Sequence, residues 1–267
     1  MQLRELARAI VEADTLEGKL RPIPPRTRDD ERGPALRVAS PGRPARLRIA
    51  PARQAKVPPV AGMRDPHQRA RILHALANHE LQAVELFAWA LLAFPDAPAS
   101  FRRGLAAILG EEQRHFRLYQ ERLAALDHRF GDFPVTGHFW NHLGQLTSPR
   151  AFVCVMGLTF ENANLDFAQE YARAARAAGD EATAAALDEV HRDELGHVRF
   201  AWRWLDRWRE GEPAWTAYTA SLAPPLGPAR ARGRVMCRDS RRAAGLAPEF
   251  IEALAAVAPR RPGGCPR

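Results

Sequence analysis

The chain has 267 residues, 46% of them hydrophobic, and a formal net charge of +8. That length suits one large domain or one domain with appendages, and no apolar run reaches the ~18 residues of a membrane span. The three cysteines, Cys154, Cys237 and Cys265, are far apart and form no CxxC pair, so neither a disulfide framework nor a zinc site is indicated, and free thiols fit a reducing compartment.

The N-terminus lacks the apolar stretch of a signal peptide, and the expected location is the cytoplasm. Residues 2–19 place Leu3, Leu6, Ala7, Ile10 and Val11 on one face of a short amphipathic helix. Nine prolines between 21 and 65 forbid a long helix or a central strand there. This Pro- and Arg-rich stretch reads as an extended arm, disordered or wrapped over a core. From 66 to 210 apolar residues recur at helical spacing, with Pro and Gly at the breaks. Helices are predicted at about 66–93, 99–126, 149–178 and 181–209, with Gly179 closing the third. An irregular segment joins the second to the third, with room for one short helix near Phe139 and Trp140. Two tight helical hairpins and a longer connection make an all-α four-helix bundle. The tail from 211 is again Pro- and Arg-rich, with one short helix at 248–257. The predicted divisions are therefore 1–65, 66–210 and 211–267.

The charge is not spread evenly. Residues 1–66 hold 14 basic and 8 acidic residues, 213–267 hold 9 and 3, and 67–212 hold 16 and 20. The positive charge sits in the tails, either as solvated surface or as a contact for a polyanion such as tRNA.

The chemistry lies in the acidic middle. The second helix contains Glu112-Gln113-Arg114-His115 and the fourth contains Glu194-Leu195-Gly196-His197. Positions i and i+3 share a helix face, so each motif aims a carboxylate and an imidazole the same way. Glu112 and Glu194 sit within apolar stripes. So does Glu80 on the first helix, among Leu73, Leu76, Ala77, Ala83, Val84 and Phe87. Glu161 on the third sits among Cys154, Gly157, Leu158, Leu165 and Ala168. Buried carboxylates cost several kcal/mol unless paired or metal-bound. The spacing repeats: 32 residues from Glu80 to Glu112 and 33 from Glu161 to Glu194. Two copies of one hairpin, each giving a lone Glu and then Glu-x-x-His, match the two-metal carboxylate bundle. The predicted ligands are Glu80, Glu112, His115, Glu161, Glu194 and His197, a donor set suited to iron or manganese. The rival Glu85 lies too near its turn to face Glu112 and has Asn78, Gln82 and Trp89 beside it. The rival Asp166 shares a face with Thr159, Asn162, Gln169 and Glu170, which reads as solvated surface. Tyr119, His191, His79 and Cys154 lie close to these ligands in sequence and read as packing or support.

The segments Ala77-Asn78-His79-Glu80-Leu81-Gln82-Ala83, Glu111-Glu112-Gln113-Arg114-His115 and Arg192-Asp193-Glu194-Leu195-Gly196-His197 resemble an uncharacterised bacterial ferritin-like family, a domain of unknown function. Its neighbours are the di-iron tRNA hydroxylase and the ubiquinone-biosynthesis hydroxylase families. The resemblance covers roughly residues 40–250, including Gly131-Asp132-Phe133-Pro134 and Arg242-Ala243-Ala244-Gly245-Leu246. It implies a ferritin-like fold, two iron ions and O2 chemistry, and is silent on substrate. The leading expectation is an O2-dependent oxidase or oxygenase of a small organic or nucleoside substrate. The alternatives are an iron-binding or peroxide-reducing protein without organic substrate, and a tRNA-modifying hydroxylase.

Overall fold

The computed structural model describes residues 1–259; Cys265 lies outside the described residues. Among these the architecture is all-α, without a strand beyond two isolated bridges. No helix among them is long and apolar enough to cross a membrane. The chain divides into two compact units. The first is Met1–Leu143 with Ala177–Ala182, and the second is Gly144–Arg176 with the described chain from Thr183.

The first unit opens with α1 (Leu3–Glu12) and α2 (Leu16–Lys19), where the periodicity predicts one helix. Thr15 makes the break, because its hydroxyl caps α2 by accepting from the Gly18 N–H. A hairpin follows, of α3 (Pro66–Ala93) and α4 (Ala99–Ala124). Asp65 caps α3 and Pro66 occupies its first turn, where a missing N–H costs nothing. Every residue of α3 from 80 to 93 is buried, so this stretch is enclosed all round. Arg102, 0% exposed, closes the turn by donating to the carbonyl oxygens of Leu91 and Phe94 and pairing with Asp29 at 2.7 Å. These carbonyls at the end of α3 have no partner within the helix.

The Pro-rich stretch from 21 to 65 lies along this hairpin with short 3-10 turns. Trp89 Nε1 donates to Val38 O at 2.9 Å, and Leu36 N donates to Leu92 O at 3.0 Å. Part of its basic charge turns inward: the side chains of Lys19 and Arg43 are only 1% and 4% exposed. The reading of this tail's charge as solvated surface is corrected at both residues, because each finds a buried carboxylate, Glu85.

The second unit corrects the prediction of one uninterrupted helix over 149–178. It begins as α5 (Pro149–Phe152), capped by Ser148, widens into a π-helix at Val153–Glu161, and resumes as α6 (Asn162–Ala177). Thr159 Oγ1 donates to Cys154 O at 2.8 Å inside the widened stretch, and the buried Tyr218 hydroxyl completes the contact by donating to Thr159 Oγ1 at 2.8 Å. Gly157 is where this helix meets α7 (Glu181–Trp208): a Cβ there would lie 2.2 Å from Ala201 Cβ.

The tail holds more helix than its prolines suggest: α8 (Ala214–Ala220), α9 (Arg238–Ala243) and α10 (Pro248–Ala256). Phe250 of α10 meets Trp202, Trp215 and Tyr218 with ring centroids 5.2–5.4 Å apart. Part of this tail's positive charge is also turned inward. Arg241 is 0% exposed, and Arg232 donates to the Ala255 and Val257 carbonyls.

Candidate metal centre

In the first unit, α3 supplies Glu80 and one face of α4 supplies Glu112 and His115. His115 Nδ1 lies 3.9 Å from Glu80 Oε2 and 3.7 Å from Glu112 Oε2. The three residues offer ligand atoms within 4.8 Å of one another. The hairpin explains the meeting. Glu80 precedes the end of α3 by as many residues as Glu112 follows the start of α4, 13 in each case, so antiparallel helices bring them level.

In the second unit, the π-helix ends on Glu161 and one face of α7 carries Glu194 and His197. His197 Nδ1 is 3.3 Å from an oxygen of Glu161 and 3.3 Å from one of Glu194. Asn164, three residues beyond Glu161, donates to Glu194 Oε1 at 2.8 Å and so orients that carboxylate. Sequence reasoning missed Asn164; its only signal is the i+3 position. Glu194 Oε2 is buried and receives no hydrogen bond.

Each triad thus turns two carboxylates onto the Nδ1 atom of one imidazole, and none of the six residues is more than 5% exposed. Carboxylate oxygen with imidazole nitrogen is a donor set that suits a divalent transition metal. The buried Glu194 oxygen facing His197 is an acceptor that a cation would satisfy. The residues present fit a metal ion.

The sequence pattern of the family described as protein of unknown function (DUF455) matches residues 3–252. The chain belongs to that family. It is also similar to an uncharacterized protein of Haemophilus influenzae, 29% identical over 144 residues, which are 51% of this chain and 50% of that protein. The chain therefore spans about half the length of the relative it matches. No solved structure matches the chain.

Among the described residues the DUF455 chain holds two further buried carboxylates, and their surroundings are different. Glu85, 0% exposed, lies 3.2 Å from Lys19 Nζ and 2.7 Å from Arg43 Nη2, and accepts from Trp140 Nε1 at 2.8 Å. Burial lowers the Lys19 pKa, and the Glu85 charge opposes that shift. The polar setting expected for Glu85 is a buried ion cluster.

Asp166 is corrected in the same way. It is 4% exposed rather than solvated, with Arg241 donating to both of its oxygens at 2.7 and 2.9 Å. The Gly233 and Cys237 N–H groups donate to it as well, at 2.8 and 2.7 Å. Its polar face is covered by the tail. Gln169 on that face donates to Ser240 Oγ at 2.9 Å, and His191 Nε2 lies 3.0 Å from the same oxygen. His79 stacks on His138 with centroids 4.8 Å apart. Tyr119 is buried, and burial pushes the Cys154 thiol up to about 11.

Proposed function

We propose that the two triads together hold two iron ions in the core of a ferritin-like four-helix bundle, and that the protein is an O2-dependent oxidase or oxygenase acting on a small organic or nucleoside substrate. The observation that carries this reading is the repetition. Each half of the chain turns two buried carboxylates onto the Nδ1 of one buried histidine, from motifs at matched spacing. Buried carboxylates are costly without a compensating cation, and a bound metal ion supplies one. Glu80, Glu112, His115, Glu161, Glu194 and His197 would be the ligands. Iron bound there supplies the capacity to reduce O2. The chain's own part is to fix these six side chains, to hold Glu194 through Asn164, and to keep bulk water from a buried site. Manganese suits the same donors.

Metal analysis of protein from iron-supplemented cells tests the reading. About two irons per chain are expected, and Glu112→Ala and His197→Ala should each lose most of them. Full occupancy in both variants would overturn the assignment. Comparing small-molecule extracts and tRNA nucleosides from cells with and without the gene should reveal one missing oxidised product. Rapid Fe(II) oxidation turnover with no such product would overturn the oxygenase reading in favour of an iron-handling one.

A further inference from the structure

A cleft of about 260 Å³ opens in the first unit between the residues before α3, the outer stripe of α3, and the segment after α4. Its walls include Lys56, His67, Arg71, Asn78, His79 and Phe133. Among the described lining residues there is no carboxylate, so the fixed charge in the cleft is positive. Arg71 Nη2 donates to the Lys56 carbonyl at 2.7 Å, which anchors the segment that carries the second cation. The nearby Asp132 carboxylate is turned to the Arg129 N–H, at 2.7 Å, and to His128, at 3.5 Å.

Planar rings form part of the remaining wall, beside Gln54, Val57, Pro134 and Thr136. Phe133 meets His67 edge-on at 5.6 Å. It also meets His74 at 5.3 Å, and His74 in turn stacks on Phe130 at 4.7 Å. Burial holds His74 neutral, with a pKa lowered to about 4, and its Nε2 accepts the Gly131 N–H. His74, only 1% exposed, therefore supports Phe133 in the wall and adds no charge. Two cations beside a ring-lined floor match a ligand with a charged end and a flat end.

We propose that this cleft binds a phosphorylated molecule that carries a planar ring, of about mononucleotide size. The volume lies just below the roughly 300–1,000 Å³ typical of small-molecule sites, so part of such a ligand stays in solvent. The site is separate from the Glu80 triad. Arg71 and Glu80 are nine residues apart on α3, which at about 100° per residue puts them on opposite faces. The proposal does not depend on the metal reading.

Calorimetric titration of the full-length chain with adenosine monophosphate, adenosine and inorganic phosphate, at low salt, tests it. The monophosphate should bind at least about tenfold more tightly than either fragment. Lys56→Glu, at an exposed position, should weaken it by about tenfold or more. Arg71→Gln, which removes the second positive charge, should do the same. Iron content, measured on the same preparations, should not change. No binding up to about 5 mM monophosphate, equal binding of phosphate alone, or wild-type affinity in Lys56→Glu would each overturn the proposal.

Discussion

Replacing Arg241 with methionine should separate a structural carboxylate from the proposed ligands beside it. The guanidinium is fully buried, donates to both oxygens of Asp166, and also reaches the carbonyls of Asn162, Ala231 and Cys237. Methionine fills similar space but leaves Asp166 with two backbone donors and no counter-charge. Breaking a buried pair from one side costs about 3–5 kcal/mol. At about 2–4 °C per kcal/mol for a chain of this size, Tm should fall by roughly 6–20 °C. Four of the six tryptophans, Trp202, Trp204, Trp208 and Trp215, lie in the second unit, so tryptophan fluorescence during urea unfolding is weighted towards the unit where the loss occurs. Asp166→Asn combined with Arg241→Met removes the stranded charge and should recover at least about 2 kcal/mol of the loss. Iron content below the melting temperature should stay near wild type in both proteins. An Arg241→Met protein that melts within about 1 °C of wild type, or that folds normally but loses its iron, would refute the division between paired and metal-holding carboxylates.

Gly157→Ala should cost at least about 1–3 kcal/mol, because the new methyl would lie 2.2 Å from Ala201 Cβ; Ala201→Gly in the same chain should restore part of the loss in a urea titration. His74 is predicted to make the fold acid-labile. Its folded pKa is depressed from 6.5 to about 4 by burial, so its contribution is present above pH 6.5 and is lost as pH falls towards 4. The loss is about 3 kcal/mol, and His74→Phe should flatten that slope of stability against pH. Cys154 acts at the other end. Its pKa is raised from 9.0 to about 11 by burial, so stability present below pH 9 should fall by about 2–3 kcal/mol as pH rises to 11. Cys154→Ala should remove that dependence.

Much of the helical frame was legible because it rests on local rules. Asp65 before Pro66 and Gly179 after Ala177 mark boundaries that capping chemistry imposes. Equal height in a hairpin is similarly a matter of counting, which is why Glu80 rather than Glu85 reaches His115. The π-helix was not legible. A 3.6-residue period assumes α geometry, and i→i+5 bonding over Val153–Glu161 shifts every later face.

The settings of Glu85 and Asp166 were missed for another reason. Their cations stand far off in sequence: Lys19 and Arg43 precede Glu85 by 66 and 42 residues, and Arg241 follows Asp166 by 75. A face with Asn162, Asp166 and Gln169 looks solvated until a tail covers it. The same distance hid the use of the tail arginines, which composition alone presents as free positive charge.

The central proposal is that the two triads hold two irons. Anaerobic titration of the metal-free, full-length chain with Fe(II), followed by an optical or magnetic signal of bound iron, tests it most directly. The account predicts saturation at about two irons per chain, a clear drop in Glu80→Ala and Glu161→Ala, and saturation near two in Glu85→Ala and Asp166→Ala measured while folded. Saturation at two in the Glu80 and Glu161 variants, or no saturable binding in the wild-type chain, would contradict it.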